Sequence, residues 1–255
     1  MQFRCTDFSV AEDWSYGERR LGHTFSGAGT ITIGFTGCCW ISPFSSSWDI
    51  STTFSLTKRN DTGRINSTPR AITAPVIRLQ EGCNHTINIA VSDPDGDIVR
   101  CRWAQTGECG GICFRFPGAE LDPHSCSIKY QANRGSGFRA AALMIEDFTS
   151  SSTSPLSSVA LQFLVLVFSS NEPCSRKPSF IPPTPRQGTC IAIPPTTTFT
   201  TVLIATSGGP EVSIREIQTV SPIGMVKGAL YRVEQSSSYY VGSRVPALLC
   251  RKWQS

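Results

Sequence analysis

Three aspartates stand at alternate positions in the run Val91–Trp103 (VSDPDGDIVRCRW): Asp93, Asp95 and Asp97, with Pro94 and Gly96 between them. Carboxylates at this spacing on a tight turn can converge several oxygens, and calcium takes six to eight. Gly96 permits the sharp bend such a turn needs. The competing reading is plain turn chemistry, a Pro-Asp-Gly bend whose flanking acids are solvated. An EF-hand is excluded, because Ile98 to Ala104 supply no acid where its closing Glu would stand.

The second group with chemistry to offer is thiol. Of eleven cysteines, Cys101, Cys109, Cys113 and Cys126 cluster near His124 and have the ligand types for zinc. Their spacing fits no zinc module, and disulfides are the stronger reading for a chain this rich in cysteine. The disulfide candidates are Cys5, Cys38, Cys39, Cys83, Cys101, Cys109, Cys113, Cys126, Cys174 and Cys190. Sequence does not fix connectivity. The favoured pairings are Cys83 with Cys126 across two strands, and Cys109 with either Cys113 or Cys101. The adjacent Cys38 and Cys39 are expected to take two separate partners, with Cys5 a candidate for one. Cys250, in an off-pattern tail, is expected to have no native partner.

Catalysis finds no foothold. The three histidines, His23, His85 and His124, sit in no nucleophile or metalloprotease motif, and no Walker or dinucleotide pattern is present. Glu146 and Asp147 are neighbours, so on a strand they point to opposite faces. The reading is therefore non-enzymatic. The net charge of +4 is carried by scattered basic residues, which argues against a nucleic-acid partner.

Three N-x-[ST] triplets, at Asn60, Asn66 and Asn84, are candidate glycosylation sites. With the cysteines they place the chain in an oxidising, extracellular setting. The first residues, MQFRCTDFSV, do not read as a signal peptide, and the apolar run Val159–Phe168 is too short to span a bilayer as a helix. The expectation is a piece of a longer secreted protein or ectodomain.

The elements that must position these groups are strands. Charged residues make up only 16% of the chain, and Ser, Thr, Gly and Pro fill the difference. Apolar residues alternate. Ile31, Ile33 and Phe35 share one face, as do Trp48, Ile50, Phe54 and Leu56. The same holds for Ile87, Ile89 and Val91, and for Val99, Cys101 and Trp103. Cys126, Ile128, Tyr130 and Ala132 form a further set, and Ala141, Leu143 and Ile145 another. Val159–Phe168 is apolar on both faces and predicts a strand covered on both sides. Turn signals separate the runs about every ten residues, the rhythm of a β-sandwich. Pro75–Asp93 is echoed loosely by Pro178–Ser207, with Gly82 and Gly188 about one such domain apart.

This gives three units. Residues 1–70 read as the closing part of one domain, 71–170 as a complete sandwich, and 171–255 as the opening part of a third, entered through a proline-rich linker. Val202, Ile204 and Ile217 of the last unit are expected to lack a facing sheet.

The DPDGD run between two strands resembles the turn of cadherin-like and related Ig-like repeats. LMIEDF stands in the position of their late V-x-V-x-D strand. The resemblance covers about residues 71–170. It implies a seven-stranded sandwich, tandem repetition and a non-catalytic role, and it brings Asp147 to Asp93, Asp95 and Asp97 as a fourth calcium ligand. The stretches GCCWISPFSSSW, INSTP, SDPDGDIVRCRW and SPLSSVALQFLVLVFSS together resemble a family of large, cysteine-rich, multidomain extracellular proteins of invertebrates. The chain departs from antibody-type domains, since Cys101 and Trp103 lie on one strand. The functional expectation is an adhesive or structural extracellular module that contacts proteins or glycans. The alternative is a lectin-like ectodomain, calcium-assisted. A lectin needs an exposed aromatic near the metal, and Trp103, the aromatic closest to the turn, alternates inward with Val99.

Overall fold

The structure is a computed structural model that describes residues 4–9, 14–19, 21–41, 44, 46–186, 191–194, 197–221, 225–234 and 236–245. The chain is all-β and divides into two units. One is His23–Ser170; the other joins Met1–Gly22 to Asn171–Gln254. Among the described residues no helix is long and apolar enough to cross a membrane.

The opening strands β1 (Arg4–Ser9) and β2 (Trp14–Glu18) pair antiparallel. The unit His23–Ser170 then runs β3 (Thr30–Gly37), β4 (Trp48–Ser55), β5 (Arg70–Ile72), β6 (Val76–Gln80), β7 (Asn84–Asn88) and β8 (Ala90–Ser92). It continues with β9 (Ile98–Trp103), β10 (Ala119–Asp122), β11 (Ser127–Gln131), β12 (Gly137–Phe148) and β13 (Ser157–Phe168). The main sheet has the order β3-β4-β13-β12-β9, with β6 parallel to β13; β10-β11-β7 and β5-β8 form smaller sheets.

Alternation along β12 and β13 explains the core. Ala141, Leu143 and Ile145 fall on one face of β12, and Phe163, Val165 and Val167 on the same face of β13. They bury against Ile87, Ile128 and Tyr130 from the β10-β11-β7 sheet. The opposite parity, Ala140, Ala142, Met144 and Leu164, packs with Trp40 and Ile112 in a second cluster. The middle of Val159–Phe168 is thus covered on both faces, as its continuous apolar character predicts, whereas Phe168 at its end is 37% exposed. Each large side chain fully removed from water in such a core contributes about 1.5–3 kcal/mol.

Several sequence expectations change here. The boundary expected at residue 70 falls elsewhere, because β4 pairs with β13 at Thr53–Ser158 and Thr52–Val159. Strand pairing over this distance leaves no local mark in the sequence. Ile33 and Phe35 alternate as a core face would, yet both are 51% exposed on the edge strand β3.

Cys126 is joined to Cys101, not to Cys83. Cys101 lies on β9, and its backbone N–H donates to the carbonyl of Pro123 at 2.9 Å, which brings the loop carrying Cys126 alongside. Cys83 is itself disulfide-bonded and buried, as an oxidised cysteine near the start of β7. Cys109 pairs with Cys113 around a single 3-10 turn at Gly110–Ile112. With these four thiols oxidised in pairs, the zinc reading falls, and His124 is exposed. The Cys38 and Cys39 side chains lie together across a cis peptide and do not diverge toward two separate partners. They follow the end of β3, where alternation no longer sends neighbours to opposite faces. Cys174 is also in a disulfide. Cys190, Cys250 and the Gly188 echo lie outside the described residues.

The second unit carries β14 (Ser179–Ile181), β15 (Phe199–Thr206), β16 (Val226–Lys227), β17 (Tyr231–Arg232) and β18 (Ser238–Val245). The order is β14-β15-β18-β16, with β17 also on β18. Ala205, Ile217 and Val241 bury together with Leu203, Ile214 and Leu230 at their edge. Ile217 therefore finds cover from the sheet, contrary to expectation, whereas Val202 is 38% exposed.

Candidate functional site

The Asp-Pro-Asp-Gly-Asp turn links β8 to β9 and folds on its first aspartate. Asp93 Oδ1 accepts the backbone N–H of Asp95 at 2.8 Å and that of Asp97 at 3.1 Å, and Gly96 takes a φ of 82°. Side-chain parity then does the positioning. Asp147 lies opposite Val99 in the β12–β9 ladder, and Asp97 is two residues before Val99, so both carboxylates fall on the core side. Carboxylate oxygens of Asp93, Asp97 and Asp147 come within 4.8 Å of one another. Asp95 does not join them. Its carboxylate accepts the backbone N–H of Ser67 at 2.6 Å and the Ser67 hydroxyl at 3.3 Å.

The cation among these acids is Arg59. A tight hairpin, with a bridge from Lys58 to Ile65 and Gly63 at a φ of 68°, delivers it. The guanidinium grips Asp97 with two nitrogens, Nη1 to Oδ2 and Nη2 to Oδ1, the latter at 2.9 Å. Nε and Nη2 donate to Asp61 at 3.0 and 2.7 Å, and Nη1 donates to Asn66 Oδ1 at 2.7 Å. The side chains of Arg59 and Asp97 are only 8% and 10% exposed. Asn66 is buried and passes the network on, its Nδ2 donating to Asp147 Oδ2 at 2.6 Å. The other oxygen of Asp147 accepts from the Ser157 N–H at 2.7 Å and its hydroxyl at 2.6 Å, across the β12–β13 hairpin.

The electrostatics follow the contacts. Hydrogen bonds to Asp97 and then Asp61 hold the Arg59 guanidinium more firmly protonated than an isolated one, and the Arg59 bond holds Asp61 below its ordinary value. Asp93 moves the other way. Burial raises its pKa most; its two backbone donors oppose this, and the charges of Asp147 and Asp97 add to it. Its Oδ2 is buried without a hydrogen-bond partner.

Calcium needs six to eight oxygens. As arranged, both oxygens of Asp97 are taken by Arg59, both of Asp147 by Asn66 and Ser157, and Asp95 is turned away to Ser67. Asp93 Oδ2 alone among the oxygens of the clustered acids accepts no hydrogen bond. This donor set suits a guanidinium better than a divalent ion. Arg59, Asn66 and Ser157 were not legible as members of the site. Arg59 stands in the polar run TKRNDTGR, which reads as a solvated turn, and Asn66 reads as a glycan acceptor. Asn60 and Asn84 are exposed, but the Asn66 amide is spent inside the fold.

A second ionic knot holds the cysteine loop. Arg102 donates to Glu146 Oε1 at 2.9 Å and to both oxygens of Glu108 at 2.7 Å, and Glu108 also accepts the Gln105 N–H at 2.8 Å. The Arg102 hydrogen bond holds the Glu108 carboxyl below its usual range. Trp103 is half-buried against the core and meets Phe116 edge-on at 6.4 Å, so it offers no platform at the turn.

Among solved structures, Drosophila N-cadherin EC1-4 is 13% identical over 70% of this chain and 43% of that one, with a TM-score of 0.30. Titin Ig tandem domains are 9% identical over 71% of this chain and 82% of that one, with a TM-score of 0.23. In sequence, integrin beta-like protein A of Dictyostelium discoideum is 33% identical over 155 residues, which is 56% of this chain and 8% of that protein's length. The family described as integrin beta-like protein A-E, N-terminal, matches residues 1–57, from the start of the chain to just past β4.

Proposed function

We propose that the chain is a non-enzymatic extracellular adhesion segment that works through contacts with proteins or glycans. The observation that carries this reading is the closure of its charged clusters on themselves. Arg59 with Asp61, Asp97 and Asn66, and Arg102 with Glu108 and Glu146, tie loops to strands and spend their donors and acceptors doing so. They brace a surface; they do not present a reacting group. In this reading Arg59 is the built-in cation of the aspartate turn, and the turn is a structural lock. The partial similarity to an integrin beta-like protein supports the adhesive role, and the disulfides support an oxidising compartment.

The test is direct. Beads coated with the secreted 255-residue chain should bind cells or each other above albumin-coated beads, equally with calcium or with chelator. Adhesion no greater than the albumin control would remove the adhesive reading. Adhesion that vanishes with chelator and returns with calcium would remove Arg59 as the cation.

A further inference from the structure

We infer that the outer face of the β14-β15-β18 sheet binds a neutral glycan, with Tyr231 and Tyr240 as its stacking platform. The inference rests on the adhesive reading and names the chemistry of one of its contacts.

Strand parity makes the face. Leu203 opposite Val241, and Ala205 opposite Tyr239, turn toward Ile217 and the core. The other parity turns outward. Ile181, Ile204, Tyr240 and Tyr231 stand side by side across four strands, in one row of the register. Tyr231 and Tyr240 lie 5.3 Å apart between ring centroids, with 25° between their planes. They are 54% and 37% exposed, so stacking on each other leaves much of both rings open. Gly242 sits beside Val202 in the next row with open space where a side chain would be, which keeps the strip flat.

A groove offering hydroxyl and backbone groups opens past Thr206 at the end of the sheet. Thr206 lies two residues beyond Ile204 on the same face, about 7 Å along the strand. It lines an open groove of about 670 Å³ with Gly208, Gly209, Arg232, Ser236 and Ser237. The Thr206 and Ser237 hydroxyls are 3.2 Å apart. The groove's volume is within the usual range for small-ligand sites, roughly 300–1,000 Å³.

These features match one ligand class. A pyranose ring offers an apolar C–H face, which stacks on an aromatic plane, and a rim of hydroxyls, which exchange hydrogen bonds with hydroxyl and backbone groups. A sulfated or sialylated chain would want several cations, whereas Arg232 is the charged residue of the groove and already donates to the Ser236 carbonyl at 3.2 Å. The face therefore favours uncharged hexoses or N-acetylhexosamines.

The experiment uses the intact chain on an array of neutral and acidic glycans, beside the bead assay. Tyr231→Ala and Tyr240→Ala should each weaken binding to a neutral glycan by about tenfold, since one aromatic stacking contact is worth roughly that factor. The double variant should lose binding. Tyr240→Phe keeps the ring and should stay within about threefold of wild type. A double variant that binds as well as wild type overturns the site. So does a blank array from a chain whose beads still adhere, because adhesion then proceeds by protein contact and the adhesive reading stands without this one. A blank array with beads that do not adhere overturns both.

Discussion

Arg59 is the residue on which the aspartate turn depends, and its removal has a calculable effect. Replacing it by Ala leaves Asp97, nine-tenths buried, without its counter-ion beside Asp93 and Asp147. It also leaves the Asn66 carbonyl oxygen, a buried acceptor, without its donor. Breaking a buried ion pair by deleting one partner costs about 3–5 kcal/mol. The low end applies, because the Asp61 side of the guanidinium opens to solvent and is screened. A loss of about 3 kcal/mol corresponds to a fall in Tm of about 6–12 °C for a unit of this size. Scanning fluorimetry in chelator measures it. Adding Asp97→Asn to Arg59→Ala should recover part of the loss, with a coupling energy of about 1–3 kcal/mol in a double-mutant cycle. Calcium supplies a second readout. At millimolar calcium the wild-type Tm should stay put, while Arg59→Ala should gain, because three neighbouring carboxylates are then short of a cation. A single-mutant loss below about 1 kcal/mol, within the range of an exposed pair, would refute the buried-lock argument. A wild-type Tm that rises with calcium would refute Arg59 as the cation.

Three further outcomes follow from the same geometry. Asp93→Asn should hold or raise stability at pH 7. Burial lifts the folded pKa of Asp93 above its unfolded value of about 3.9, so the stability it contributes is fully present below that value and is lost as pH rises through the folded one. The advantage of Asn over Asp should therefore fade below about pH 4, as urea titrations at several pH values would show, and a constant difference across pH would refute it. Deleting the Cys101–Cys126 bridge should cost about 3.5 kcal/mol and the Cys109–Cys113 bridge about 2, on loop-closure entropy alone, so equal losses in denaturant melts would count against that account. In the secreted, folded protein, glycopeptide mass spectrometry should find carbohydrate on Asn60 or Asn84 and none on Asn66, whose Nδ2 is the donor to Asp147; an occupied Asn66 would mean that the lock does not close.

What the sequence made legible is what alternation controls. A period of two puts Cys126, Ile128, Tyr130 and Ala132 on one face, and all four are buried. Asp147 was placed beside Asp97 by the resemblance to cadherin-like repeats, and the ladder accounts for it, because both continue a core-facing parity to the end of its strand. What stayed hidden is what depends on which strand lies next to which. Ile33 and Phe35 alternate as cleanly as Leu143 and Ile145, but β3 ended at an edge and β12 in the middle of the sheet, and alternation has no term for that difference. The disulfide choice failed for the same reason. Cys83 stands just before β7 and Cys101 on β9, and the backbone bond from Cys101 to Pro123 decided between them. Arg59 is the extreme case. Nothing local distinguishes it from Arg64 in the same hairpin; it is buried because residue 97, thirty-eight positions on, supplies both oxygens of its carboxylate. A cluster of acids in a sequence is therefore half a statement. Whether it calls for an ion from solution depends on whether the fold brings a cation of its own, and here the hairpin before β5 brings one.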